Sequence, residues 1–295
     1  MFERLFASRK KPFVPNRDKL ETLTANLSGS RFSISLPPNS VPDINEEYYG
    51  PRIDIYNREA YDDLSRGKWY QEGRMPGQSI IKRNWGFYGP PWISMEYGFV
   101  TLSIRIYRVD DIPEGMSCFN PSNFEQVILR DLYFQYGPAN INSWPSLTPI
   151  NWEKKTINGN DWLYCEAYRK CTEAEVQANP FNEAMFSSQL YTPLDDQYFI
   201  DIYFNAIGYA PANYSITAMN HLMSDIYSSL NLELSPAMQQ RKREVIQQFP
   251  NSKFSDTRNP EPWIYHEFRE SDDESGEDPF VIVKKGTPPP KFTPQ

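Results

Sequence analysis

The chain has 295 residues, of which 39% are apolar, 15% aromatic and 23% charged, enough apolar material to bury a core and too much for a wholly disordered chain. Its 26 prolines and 14 glycines favour short elements joined by turns over a long-helix bundle or a coiled coil. No apolar run approaches the roughly 20 residues of a membrane-spanning helix, and a formal net charge of -8 argues against a general nucleic-acid binder, which needs clustered Lys and Arg, and suits a basic partner.

Residues 1–19 form a basic arm with a net charge of +4. Phe2, Leu5 and Phe6 make a small apolar face beside Arg9, Lys10 and Lys11, the pattern of an interfacial anchor, so membrane contact by residues 1–11 stands beside the plainer reading of a frayed terminus. The same charges interrupt any stretch long enough for a signal-peptide core, and the expected location is the cytoplasm. Three cysteines, Cys118, Cys165 and Cys171, match no zinc or redox spacing and predict no disulfide framework.

Strict alternation of Phe32, Ile34 and Leu36 with Ser33 and Ser35 predicts a half-buried strand ended by Pro37-Pro38. Ile53 and Ile55 suggest a short strand, and Leu102, Ile104 and Ile106 alternate within a long one over residues 93–109. From Asn120-Pro121 the period becomes helical, with Phe124, Val127, Ile128 and Leu132 on one stripe and Gly137-Pro138 as the stop. Asn158-Gly159 between Trp152–Ile157 and Trp162–Tyr168 predicts a tight hairpin. Phe186–Leu194 and Tyr198–Ala206 form a second pair about Asp195-Asp196, with Ile200, Ile202 and Phe204 facing the core. A helix over 212–232 carries the stripe Ile216, Met219, Met223, Ile226, Tyr227 and Leu230. Ser235-Pro236 starts a further helix that Phe249-Pro250 closes.

The predicted fold class is α+β, a mostly antiparallel sheet flanked by helices. The expected divisions are a disordered basic arm over 1–19, the α+β domain over 20–234, an extra helix over 235–250, and a disordered acidic, Pro-rich tail over 251–295. Residues 261–295 sum to -4, so arm and tail cancel and residues 20–260 hold the whole net charge.

The order of a strand ending Leu36-Pro37-Pro38, an Asn158-Gly159 hairpin carrying Trp162, a Tyr198-Phe199-Ile200 strand and a helix ending Met223-Ser224-Asp225-Ile226-Tyr227-Ser228-Ser229-Leu230 resembles the PsbP/Mog-type α+β fold and its bacterial DcrB-like relatives, over roughly residues 30–234. The resemblance implies a non-catalytic binder, and in bacteria an adaptor for type VI secretion effectors. It maps no ligand-binding residue onto this chain.

The densest aromatic stretch, Trp85-Gly86-Phe87-Tyr88-Gly89-Pro90-Pro91-Trp92, supplies the candidate partner-binding residues Trp85, Phe87, Tyr88 and Trp92, since large rings on a stiff loop make good anchors. The alternative is that these rings close the end of a core. Tyr48-Tyr49 and Trp69-Tyr70 are weaker candidates of the same kind. Asp62-Asp63, Asp110-Asp111 and Asp195-Asp196 read as solvated turns, because none has the spaced oxygens of a calcium loop. Of the two histidines, His221 and His266, His221 falls about 140° off its helix stripe at 100° per residue, pointing away from the core, with Asp225 one turn on. No catalytic residue, metal site or cofactor is predicted.

The functional expectation is a non-enzymatic cytoplasmic protein that holds a partner through an acidic and aromatic surface. An immunity protein against a basic toxin fits, with steering speeding capture. The alternative is an adaptor or chaperone for a secreted effector, with an apolar groove and a homodimer. The third class, an enzyme, needs carboxylates gathered around His221 or a Cys.

Overall fold

The computed structural model describes residues 2–41, 46–62, 73–138, 146–170, 184–208, 212–264, 268–270, 280–282 and 286–293. A seven-stranded sheet runs β3 (Glu47–Tyr48), β5 (Gly77–Tyr88), β6 (Glu96–Arg108), β10 (Tyr198–Gly208), β9 (Ala184–Pro193), β8 (Asn160–Lys170), β7 (Leu147–Ile157). Every neighbouring pair in it is antiparallel. A smaller sheet, β11 (Asn231–Glu233), β2 (Ser30–Leu36), β1 (Glu21–Leu27), β4 (Arg52–Ile53), contains a parallel pair, β1 with β4. The α+β class and the mostly antiparallel sheet are as expected.

Local chemistry explains the turns. Asn158 and Gly159 join β7 to β8 at φ 47° and 80°, the doubly left-handed turn whose twist matches two strands. Ser28 and Gly29 join β1 to β2 in the same way, at φ 49° and 99°. The β2 alternation is visible in burial, Phe32, Ile34 and Leu36 being buried and Ser33 and Ser35 half-buried.

Both faces of the large sheet are covered. On one, Ile104, Ile200, Ile202 and Phe204 join Phe32, Ile34 and Leu36 of the small sheet and Met219, Met223 and Ile226 of α2 (Ala212–Ser228) in one core. Gly98 faces Met219, and a Cβ there would displace the end of that side chain. On the other face lies α1 (Pro121–Tyr136), capped by Asn120, whose side chain accepts from the backbone of Ser122 and Asn123. Its expected stripe Phe124, Val127, Ile128 and Leu132 is fully buried against Leu163, Tyr191 and Phe199.

The expected divisions do not match the packing. In the arm, Val14 belongs to the core and Phe13 exchanges backbone hydrogen bonds of 2.8 and 2.9 Å with Tyr88, so residues 2–20 are fixed to the end of β5. The helix α3 (Pro236–Gln248) inserts Val245 into the same core, which makes it part of the domain. Residues 251–264 and 286–293 form a strap over α1: Trp152 Nε1 donates to Ser255 O at 3.1 Å, Arg258 pairs with Glu125 at 2.6 Å, and Tyr133 OH donates to Thr287 O at 2.6 Å. Phe254, Trp263 and Phe292 pack on that core, so apolar residues spaced through a Pro-rich segment dock it without periodicity. Most of the acidic run, residues 271–279, lies outside the described residues.

Candidate interaction surfaces

The four aromatic candidates separate sharply. Trp85 and Phe87 are 0% and 1% exposed. Trp85 donates Nε1 to the carbonyls of Pro37 and Pro38 at 3.3 and 3.1 Å and lies beside Phe204. The first half of the stretch expected to be a loop, Trp85–Tyr88, is the last third of strand β5, so these two rings are core. Tyr88 is half-buried, with its phenol pushed up to about 12 by burial and by Glu96. Trp92 is 72% exposed, in the third position of a turn that Ile93 N closes on Pro90 O at 2.9 Å. Of the weaker candidates, Tyr49 is 58% and Tyr48 39% exposed, while Trp69 and Tyr70 lie outside the described residues.

At that end of the sheet the arm brings further apolar side chains. Arg4 donates Nε to Gly89 O at 3.1 Å and lies 5.2 Å from the centre of the Tyr88 ring. Flanking it, Phe2, Leu5 and Phe6 are 81%, 42% and 82% exposed, and Arg9, Lys10 and Lys11 follow, all exposed. A cleft of about 630 Å³ lies between the arm and α2, lined by Phe6, Phe13, Val14, Lys11, Arg17 and Asp225 among others. Arg17 pairs with Asp225 across it at 2.7 Å.

The opposite end gathers carboxylates, and topology assembles it from Asp62, Asp110-Asp111 and Asp195-Asp196, which read as separate turns; Asp63 lies outside the described residues. Asp62 N–H donates to Gly77 O at 3.0 Å, holding the 54–62 loop at the start of β5. Asp110 takes Arg108 at 2.6 Å and Arg58 at 3.1 Å, and Arg130 reaches Asp111. Asp196 takes Arg241 at 2.8 Å and accepts from Ser117. Tyr56, 46% exposed, donates its hydroxyl to Asp195 at 2.7 Å and meets Tyr198 edge-on at 5.3 Å. Burial and Asp195 raise the Tyr56 phenol, so it stays a donor. Among the described residues Asp54, Glu59, Glu114 and Asp195 make no ion pair, which leaves this end negative. Sequence reasoning missed the convergence because nothing local records that three turns share one end.

A second acidic feature is internal. Asp131 of α1 and Asp201 of β10 are 4% and 2% exposed. Asp131 accepts from Gln135 at 2.7 Å and from Tyr191 at 3.3 Å, and Gln135 and Gln189 also donate to Asp201. Burial raises both carboxyls, and each other's charge reinforces this at Asp201, with Arg105 opposing. Asp201 Oδ1 has no hydrogen-bond partner, which suits a protonated acid. Asp201 lies on the face of β10 opposite Ile200, Ile202 and Phe204, and α1 covers that face.

The remaining candidates sit apart. His221 is exposed, as its helical angle predicts, and Asp225 is engaged by Arg17. His266 and Cys171 lie outside the described residues. Burial raises the thiols of Cys118 and Cys165, keeping them protonated. Among the described residues no three His, Cys, Asp or Glu approach closely enough to hold a metal ion, and no helix is long and apolar enough to cross a membrane.

No family model matches the chain, and no curated protein matches it. Among solved structures, the crystal structure of LpqN, described as involved in cell envelope biogenesis of Mycobacterium tuberculosis, is similar over 55% of this chain and 86% of that one, at 11% identity and a TM-score of 0.29. That score is too low to establish a shared fold.

Proposed function

We propose that the protein is a non-catalytic, cytoplasmic binding protein of the immunity type, which captures a basic partner protein at its acidic end. The observation that carries this reading is the convergence of Asp54, Asp110, Asp111, Asp195 and Asp196 about the exposed Tyr56. Asp110, Asp111 and Asp196 are paired with arginines, and the excess negative charge beside Tyr56, from Asp54 and Asp195, raises the capture rate of an oppositely charged partner. Tyr56 supplies a rigid ring for the contact itself, a role that buried Trp85 and Phe87 cannot take. Two buried, reduced cysteines suit a reducing compartment, and the PsbP/Mog-type resemblance supports a binder.

The partner is to be captured from the native host and identified by mass spectrometry, and its kinetics measured against salt. The Asp54→Asn/Asp195→Asn variant should associate about fivefold more slowly and with a flatter salt dependence. Tyr56→Ala should act on dissociation, by about 2 kcal/mol if it is a hot spot. An on-rate indifferent to salt, or a turnover lost in His221→Ala, overturns the reading. The adaptor reading is favoured by the partly apolar cleft beside Arg17; it requires a partner helix whose binding falls in Phe13→Ser and is unmoved by the acidic variants.

A further inference from the structure

The end of the sheet opposite the acidic cluster presents large apolar side chains that contribute nothing to the core. Phe2, Phe6 and Trp92 are 81%, 82% and 72% exposed. They come from two separate segments that the fold ties together: Arg4 binds Gly89 O, and Phe13 pairs with Tyr88, immediately before the turn that carries Trp92. Arg9, Lys10 and Lys11 follow on the same arm, exposed to solvent. Glu3 and Asp18 oppose them, leaving +4 over residues 1–19.

A soluble protein partner would normally be met by rings framed in a polar rim. Here isolated aromatic tips stand beside a basic run, the composition that inserts rings at the headgroup level while cations meet lipid phosphates and carboxylates. The acidic end does not oppose this. β5 spans 12 residues between the two ends, on the order of 40 Å at ~3.3 Å per residue, several times the ~8 Å screening length at physiological salt. We propose that this end is a peripheral docking surface for an anionic lipid bilayer, with Phe2, Phe6 and Trp92 entering the interface and Arg9, Lys10 and Lys11 facing the headgroups. Docking this way leaves the acidic end pointing into solvent.

The test is co-sedimentation of the full chain with phosphatidylcholine vesicles containing about 30% phosphatidylserine, against phosphatidylcholine alone. Binding is expected with the anionic vesicles only, and should fall as salt rises. Lys10→Glu/Lys11→Glu and Phe2→Ser/Trp92→Ser should each weaken it about tenfold or more. Lys11 lines the cleft but Phe2 and Trp92 do not, so the ring variant separates vesicle binding from the cleft; Asp54→Asn/Asp195→Asn should bind vesicles as the wild type does, so failure of the capture reading leaves this one standing. Brominated lipid should quench the wild-type tryptophan emission more than that of Trp92→Phe. Absence of binding to anionic vesicles, equal binding to neutral ones, or binding unchanged in the ring variants overturns the proposal. So does a concentration-dependent dimer abolished by Phe2→Ser/Trp92→Ser, which would make this face an interface between copies.

Discussion

The two ends of the seven-stranded sheet are built on opposite plans. At the acidic end charge is woven into the fold: the Arg108 side chain is 11% exposed, chelates Asp110 and lies 5.0 Å from the centre of the Tyr61 ring. At the basic end Arg4 and Lys10 rest on Tyr88 and Tyr214, but the rings of Phe2, Phe6 and Trp92 stand outside the fold and none of residues 2–6 is buried. An acidic surface of this kind is partly a by-product of tying loops down, whereas exposed rings that stabilise nothing call for a partner. Function is therefore easier to separate from stability at the basic end.

Mutations can break that contrast. The largest effect belongs to the strand joining the two ends: Trp85→Ala should cost about 3–5 kcal/mol in urea denaturation, from the cavity and the lost bonds to Pro37 and Pro38. A loss below about 1 kcal/mol would return Trp85 to the surface. At the acidic end Arg108→Ala should cost on the order of 1 kcal/mol, because it uncovers Tyr61 and leaves Asp110 to Arg58 and solvent; full stability in that variant would mean the charges there are ornaments of the surface after all.

Next in size is the interior pair between the ends. Both Asp131 and Asp201 have carboxyls raised by burial, so below the unfolded value of about 3.9 both states are protonated and the burial penalty is absent. As pH rises through the folded values the native state must either keep its protons or bury charge, and stability is lost. Asp201→Asn should thus leave stability at pH 4 unchanged, raise it by on the order of 1 kcal/mol at pH 8, and flatten the slope between. A variant that loses stability equally at both pH values would show that the carboxyl serves as an ion. The smallest effect is expected at the basic tip, where Trp92→Ser and Phe2→Ser should move the melting free energy by no more than about 0.5 kcal/mol. A loss near 2 kcal/mol would place the tip in the core.

Elements with one clear period were legible. Alternation in β2 and β6, the Asn158-Gly159 turn and the stripe of α1 appear where the pattern puts them, because each presents one face to a single core; α2 ends at Ser228, short of the expected 232, because Asn231–Glu233 pairs with β2 instead. β5 was not, because it is buried along both faces and carries Lys82 and Arg83 in mid-strand, so neither alternation nor apolar run survives. Arg83 is buried and satisfied by Glu21, Glu46 and the Pro37 carbonyl, partners as far as 62 residues away in sequence. The C-terminal strap was hidden likewise: single rings at Phe254, Trp263 and Phe292 dock without any period. Of the candidate anchors, only local composition was visible, and composition cannot tell Trp85 inside from Trp92 outside.

The small sheet has a consequence for the order in which the molecule is made. Asn231 pairs with Ser33, and Leu232 with Phe32, so β2 finds its outer neighbour only after the roughly 200 residues between them have been synthesised. Until then the outer edge of β2 stays unpaired and the Phe32, Ile34 and Leu36 face only partly covered, since α2 and β10, which share its core with β5 and β6, also come late in the chain. At ~5–20 residues per second that wait lasts on the order of ten seconds or more. The nascent chain therefore carries an open, apolar strand pair for most of its synthesis, the kind of species that chaperones hold.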